Sequence, residues 1–202
     1  MFALVEDGKI TQMPKGNKGI TIGDNQYPAS IFTSSYSEAE RNAVGIYTVE
    51  MDETNLKDQQ WYINTNITYT FDSGKVTGSY GTATAKAHAD TKWTQKEIDD
   101  GEAPEGADTN TVKVEGLKTI LIRQVKQQAE GILNETDWYI TRNAEKSTAI
   151  PSAITTHRDA VRTKQAEMET AITNAADTAA LETLYTRDNN GNRPIGDLPV
   201  KE

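Results

Sequence analysis

The chain has 202 residues, enough for one compact domain or two small ones, and a hydrophobic fraction of 36% that points to a modest core under a polar surface. A formal charge of −9 disfavours contacts with phosphate backbones and anionic lipid, so neither nucleic acid nor membrane is expected as a partner. The absence of cysteine removes disulfides, thiol catalysis and thiolate metal sites.

The charge is uneven, −8 over residues 1–115 and −1 over residues 116–202. The opening "MFALVEDGK" turns acidic at residue 6 and lacks an apolar stretch of signal-peptide length. No run approaches 18 apolar residues, so synthesis and folding in a cytoplasm is the expectation.

"MFALVEDGKITQMP" reads as a hairpin, strands at residues 2–5 and 10–13 joined through Asp7-Gly8. "GITIGDNQYPASIF" supplies another short strand before a turn. Ser37 followed by Glu40 has capping-box spacing, and Gly45 ends the short helix it starts. "GIYTVEM" resumes as a strand. In residues 61–71, Trp61, Ile63, Thr65, Ile67, Tyr69 and Phe71 alternate with Tyr62, Asn64, Asn66, Thr68 and Thr70, which predicts one long strand with a covered face. "DSGK" then turns the chain back.

Residues 90–111 contain six acids between Glu97 and Asp108, with Pro104 and two glycines, and read as an acidic linker. From residue 112 the apolar period becomes helical. Leu117, Leu121, Val125, Gln128 and Ile132 form one stripe, widened by Ile120 and Leu133. A second helix is predicted from Pro151, with Ile154, Val161, Met168 and Ala175 spaced by sevens and Ile172 widening the seam. That spacing admits either an antiparallel partner in the same chain or a parallel helix of a second copy. Asp177 caps a brief third helix whose apolar edge is Leu181, Leu184 and Tyr185, and "NNGNRPIGDLPVKE" has the composition of an irregular tail. The expected fold is α+β: a small antiparallel β-rich domain at residues 1–89, a linker at 90–111, a helical hairpin with a short coiled-coil-like seam at 112–188, and a tail at 189–202.

Chemistry-bearing patterns are sparse. His88 and His157 stand alone and outside any metal-ligand spacing. "GKVTGSYGTA" lacks the strand-turn-helix context of a phosphate cradle, and "DNNGNRPIGD" lacks the closing glutamate of a calcium loop. No serine lies in a nucleophile-elbow context. No catalytic residue, metal or cofactor is therefore assigned, and the protein reads as non-enzymatic.

The segment "NETDWYITRNAEKSTAIPSAITTHRDAVRTK" is the most informative. Trp138 with Tyr139 is expected to plug the open end of the hairpin, with Asp137 paired to Arg142, Arg158 or Arg162. Aromatic-plus-arginine sets also mark interface hot spots, which makes an exposed anchor the competing role.

Leu133, Thr136-Asp137-Trp138, Arg142, Pro151 and "THRDAVR" with Arg158 and Arg162 resemble the C-terminal region of tail-fibre assembly and tail-associated proteins of tailed bacteriophages. There a leucine-rich helix and a (T/A)DW element precede a "P…YR…R" helix; His157 stands here in place of the tyrosine. "WTQKEI" at residues 93–98 is similar to a "WT…EI" piece preceding the last helices of such proteins. The resemblance covers about residues 115–165. It implies a virion protein at the tail, fibre or baseplate, with phage tail or fibre proteins and further copies of itself as partners. The alternative it implies is an assembly chaperone that stays in the host cytoplasm.

Overall fold

A computed structural model describes residues 1–200. The fold is mixed α+β, with a β-rich N-terminal region and helices in the C-terminal half. The chain divides into two compact units, Met1–Thr84 and the part from Ala85 onward.

In the first unit, β1 (Phe2–Glu6) and β2 (Lys9–Gln12) form the expected hairpin. Asp7 and Gly8 both adopt positive φ, 50° and 71°, matching the twist of a two-residue β-turn to its strands. β3 (Ile20–Ile22) and β4 (Asn25–Tyr27) make a second small hairpin, followed by a 3-10 turn at Ala29–Phe32. α1 (Glu38–Ala43) begins at the Ser37–Glu40 capping box. β5 (Ile46–Asp52), β6 (Tyr62–Ile63), β7 (Ile67–Asp72), β8 (Lys75–Tyr80) and β9 (Thr84–Ala85) follow.

The main sheet has the order β2-β1-β5-β8-β7. β1 is buried on both faces, which explains its continuous "FALV". Leu4 joins Ile20, Ile31, Phe32 and Ile46 on one side. Ala3 and Val5 join Val49 and Val76 on the other, beside Tyr47 and Phe71, whose rings lie 4.9 Å apart.

Two strand expectations need correction. The sheet is not wholly antiparallel, because β5 and β8 pair in parallel, Val49 opposite Val76. The predicted long strand at residues 61–71 is broken. The Asn64 side chain accepts from Lys57 N at 2.9 Å and donates to Lys57 O at 2.8 Å, and the Thr65 hydroxyl accepts from Gly81 N at 2.7 Å. At Asn64 and Thr65, side-chain bonds to backbone stand where a ladder would continue.

The second unit contains β10 (Thr91–Lys92), α2 (Gln95–Asp99), β11 (Val112–Val114), α3 (Leu117–Asn134), α4 (Asp137–Lys146), α5 (Ser152–Asn174) and α6 (Thr178–Tyr185). The predicted linker at 90–111 is instead structured. β10 pairs with β11, and α2 has its own capping box, Thr94 with Glu97. Lys113 pairs with Glu97 and lies 4.5 Å from the centre of the Trp93 ring. That cation, with the Thr94 N–H and hydroxyl, holds the Glu97 carboxyl at about 2.

The unit also starts earlier than the predicted boundary at residue 89. The N–H groups of Leu117 and Lys118 donate to the carbonyls of Ala87 and His88, each at 3.0 Å. Asp90 Oδ1 accepts from Gly116 N at 2.7 Å, so the start of α3 is capped from 26 residues away in sequence. That bond, with the Thr119 hydroxyl, lowers the Asp90 carboxyl below its ordinary value. The Thr178 hydroxyl at the start of α6 donates to Lys86 O at 2.6 Å.

α3 packs along α5. Lys118 Nζ donates to Thr173 O, Lys126 pairs with Glu169, and Arg158 donates to Leu133 O, so the two helices run antiparallel. Leu117, Leu121, Val125 and Ala129 of α3 are buried, as are Ile154, Val161, Met168 and Ile172 of α5. Ala129 takes the inner position expected for Gln128 and Ile132. The stripe continues by fours, leaving Ile132 half-buried and Gln128 exposed. As expected, the tail forms no helix or strand over its described part, yet it is packed: Ile195 is buried, its N–H donates to Leu184 O at 3.1 Å, and Arg193 pairs with Asp197 at 2.6 Å. Residues 201–202 of that predicted tail lie outside the described residues.

Candidate functional site

The segment that carried the strongest sequence signal folds as a helix. α3 stops at Asn134, Thr136 leaves the helical region at φ −115°, and α4 begins at Asp137. Asp137 occupies the first turn, where a carboxylate is favoured by the backbone N–H groups.

Arg158, in the second turn of α5 and 7% exposed, organises this junction. Its Nη1 donates to Leu133 O at 2.8 Å and to the Thr136 hydroxyl at 2.6 Å, and lies 2.8 Å from Asp137 Oδ1. The Thr136 hydroxyl donates in turn to Leu133 O at 3.0 Å. One buried cation thereby satisfies the end of α3, the break and the first residue of α4. Of the three arginines considered for Asp137, Arg158 makes the pair. Arg162 pairs with Asp159 at 3.4 Å on the surface.

Arg142 does something different. Its guanidinium carbon sits 4.7 Å from the centre of the Trp138 ring and 5.3 Å from that of Tyr139, and the two rings are 3.8 Å apart. The helical spacings of four and three residues bring these side chains to one face. The expected plug is corrected here: Trp138 is 51% exposed and Ile140 42% exposed. α4 contributes no residue to the core. With α4 starting after the two-residue break Glu135–Thr136, the indole lies outward, and the corner is filled by Arg158 and Thr136.

The remaining depressions gather little chemistry. An open groove of about 690 Å³ along α5 is lined by Leu133, Arg162, Gln165, Glu169 and Thr173 among others, with one carboxylate among them. His157 borders a separate depression with Ser152, Thr156 and Val200, and no acid lines it. His88 is half-buried, its carbonyl occupied in capping α3. Among the described residues no three His, Asp or Glu side chains gather as metal ligands, and no helix is long and apolar enough to cross a membrane.

Sequence reasoning missed α4 itself, while the outward placement of Trp138, Tyr139 and Arg142 is the competing anchor role it had named. The available signal was the four-residue step from Trp138 to Arg142 between Asp137 and Lys146, an acid at the start and a base at the end of a helix. Comparison with protein-family models, with curated proteins and with solved structures finds no match to this chain.

Proposed function

We propose that the protein is a non-enzymatic structural component of a bacteriophage tail, attached at a fibre, baseplate or adaptor position through protein–protein contacts. The observation that carries this reading is the Trp138–Tyr139–Arg142 cluster, pre-formed on a helix that no core residue claims. Tryptophan, tyrosine and arginine dominate interface hot spots, and an arginine already ordered against two rings loses little further freedom on binding. The residues that carry the resemblance to phage tail proteins also converge in space: Leu133, Thr136, Asp137 and Arg158 share one network, with Trp138 and Arg142 directly outside it.

In this reading α3 and α5 are the rigid mount. That α3 packs on α5, with Leu117, Leu121 and Val125 of the one and Ile154, Val161, Met168 and Ile172 of the other buried, supports a short coiled-coil-like seam as the base for α4. The protein is made in the host cytoplasm and resides in the virion tail.

Quantitative mass spectrometry of density-purified particles tests the proposal. The expected result is a fixed copy number per particle. Abundance in the lysate with absence from particles would overturn it in favour of an assembly chaperone.

A further inference from the structure

The loop between α2 and β11 carries the charge that the α4 platform lacks. Residues 97–108 hold six carboxylates and no base. Four are engaged locally: Glu97 with Lys113, Asp99 with Gln95, Asp100 with Lys96, and Asp108 with Asn110 and Thr111. Glu102 and Glu105 are exposed and form no ion pair among the described residues. They flank Ala103 and an exposed Pro104. A tight turn holds this "EAPE" stretch in place, with Ala107 N donating to Pro104 O at 3.0 Å and Gly106 at φ 79°.

Arg142 is the reciprocal group. It makes no ion pair among the described residues, its Nε is buried without a partner, and two aromatic faces adjoin it. A proline ring suits an indole face, and a carboxylate on either side suits a guanidinium. The two surfaces cannot meet through a simple fold-back, because they flank opposite ends of α3. The loop is tied to β11, just before Leu117, and α4 starts just after Asn134. Eighteen helical residues separate them by about 27 Å.

We propose that the 102–105 loop of one copy docks on the Trp138–Tyr139–Arg142 platform of a second copy, joining copies head to tail. This deepens the interface reading of α4 and rests on it. Such a contact is heterologous, so it closes into a ring or extends along an array. One loop on one helix buries less than about 1,000 Å² and binds weakly as a single pair, and repetition in a ring or at a tail supplies the avidity.

The test uses the full chain. Glu145, exposed one turn beyond Arg142 on the same face of α4, is replaced by photoreactive benzoylphenylalanine in a mixture of unlabelled and ¹⁵N-labelled protein, and sedimentation velocity follows association with rising concentration. The expected cross-link joins position 145 to the peptide bearing residues 97–108 of a differently labelled copy. Arg142→Glu is expected to weaken association by about tenfold, Glu102→Lys with Glu105→Lys to do the same, and the combined charge swap to restore it. A monomer at every concentration, cross-links that map elsewhere, or association indifferent to Arg142→Glu would overturn the proposal. Because virion incorporation is read separately, a monomeric protein with a fixed copy number in particles sinks the self-docking contact and leaves the tail function standing. The converse pattern sinks only the function.

Discussion

Removing the Arg158 side chain takes the charged donor from Leu133 O, the Thr136 hydroxyl and the Asp137 carboxylate at once, leaving only the Thr136 N–H and hydroxyl on Leu133 O. Arg158→Ala is expected to cost about 2–4 kcal/mol in urea unfolding, because partly buried acceptors lose a charged donor. Trp138→Ala, at a half-exposed ring, is expected to cost less than about 1 kcal/mol in the same assay. Equal losses at both positions would contradict this division between a structural cation and an outward anchor. Glu97 behaves differently again. Its carboxyl falls from the ordinary 4.5 to about 2, first through the Lys113 bond and then through the Thr94 N–H and hydroxyl. A depressed carboxyl stabilises the fold fully above its unfolded value and loses that contribution as pH falls through its folded one. NMR titration should therefore show Glu97 ionised until about pH 2, and Lys113→Ala should move its midpoint back toward 4.5.

At the scale of elements, the glycine that caps α3 and the glycine inside it give opposite predictions. A Cβ on Gly116 would sit 2.3 Å from Ala89 C and 2.4 Å from Ala89 O, while a Cβ on Gly131 meets nothing within 4 Å. Gly116→Ala is expected to lower stability by more than about 2 kcal/mol, since the 87–90 segment must move off the helix end it caps. Gly131→Ala, at an exposed helix position, should raise it by about 0.5–1 kcal/mol. Thermal unfolding followed by circular dichroism reads both. These same elements show what was legible in the sequence. Turn pairs such as Asp7-Gly8, the Ser37–Glu40 box and the sevens from Ile154 to Met168 are local or periodic, and each element they signalled is present. The capping of α3 by Ala87, His88 and Asp90 joins residues far apart in sequence, so a stretch rich in acid and glycine read as linker. α4 went unread because its apolar side chains face outward, and periodicity reports a helix best when one face is buried. The Asp137 pair was legible only as a choice among three arginines, since helix phase alone does not fix which one arrives.

Across the molecule, these long-range caps define where the helical unit begins. A chain starting at residue 85 should keep a cooperative helical transition. One starting at residue 112 lacks the acceptors at Lys86, Ala87, His88 and Asp90 and should melt lower by at least about 5 °C. Equal midpoints would return residues 85–111 to the status of a linker. The central claim is that α4 serves an interface rather than the core. The most direct measurement compares purified particles carrying the native chain with particles from cells in which only Trp138→Ala is made. We predict an unfolding midpoint within a few degrees of the native chain and a loss of incorporation of about tenfold or more. Undiminished incorporation, or loss of incorporation together with collapse of the unfolding midpoint, would contradict that claim.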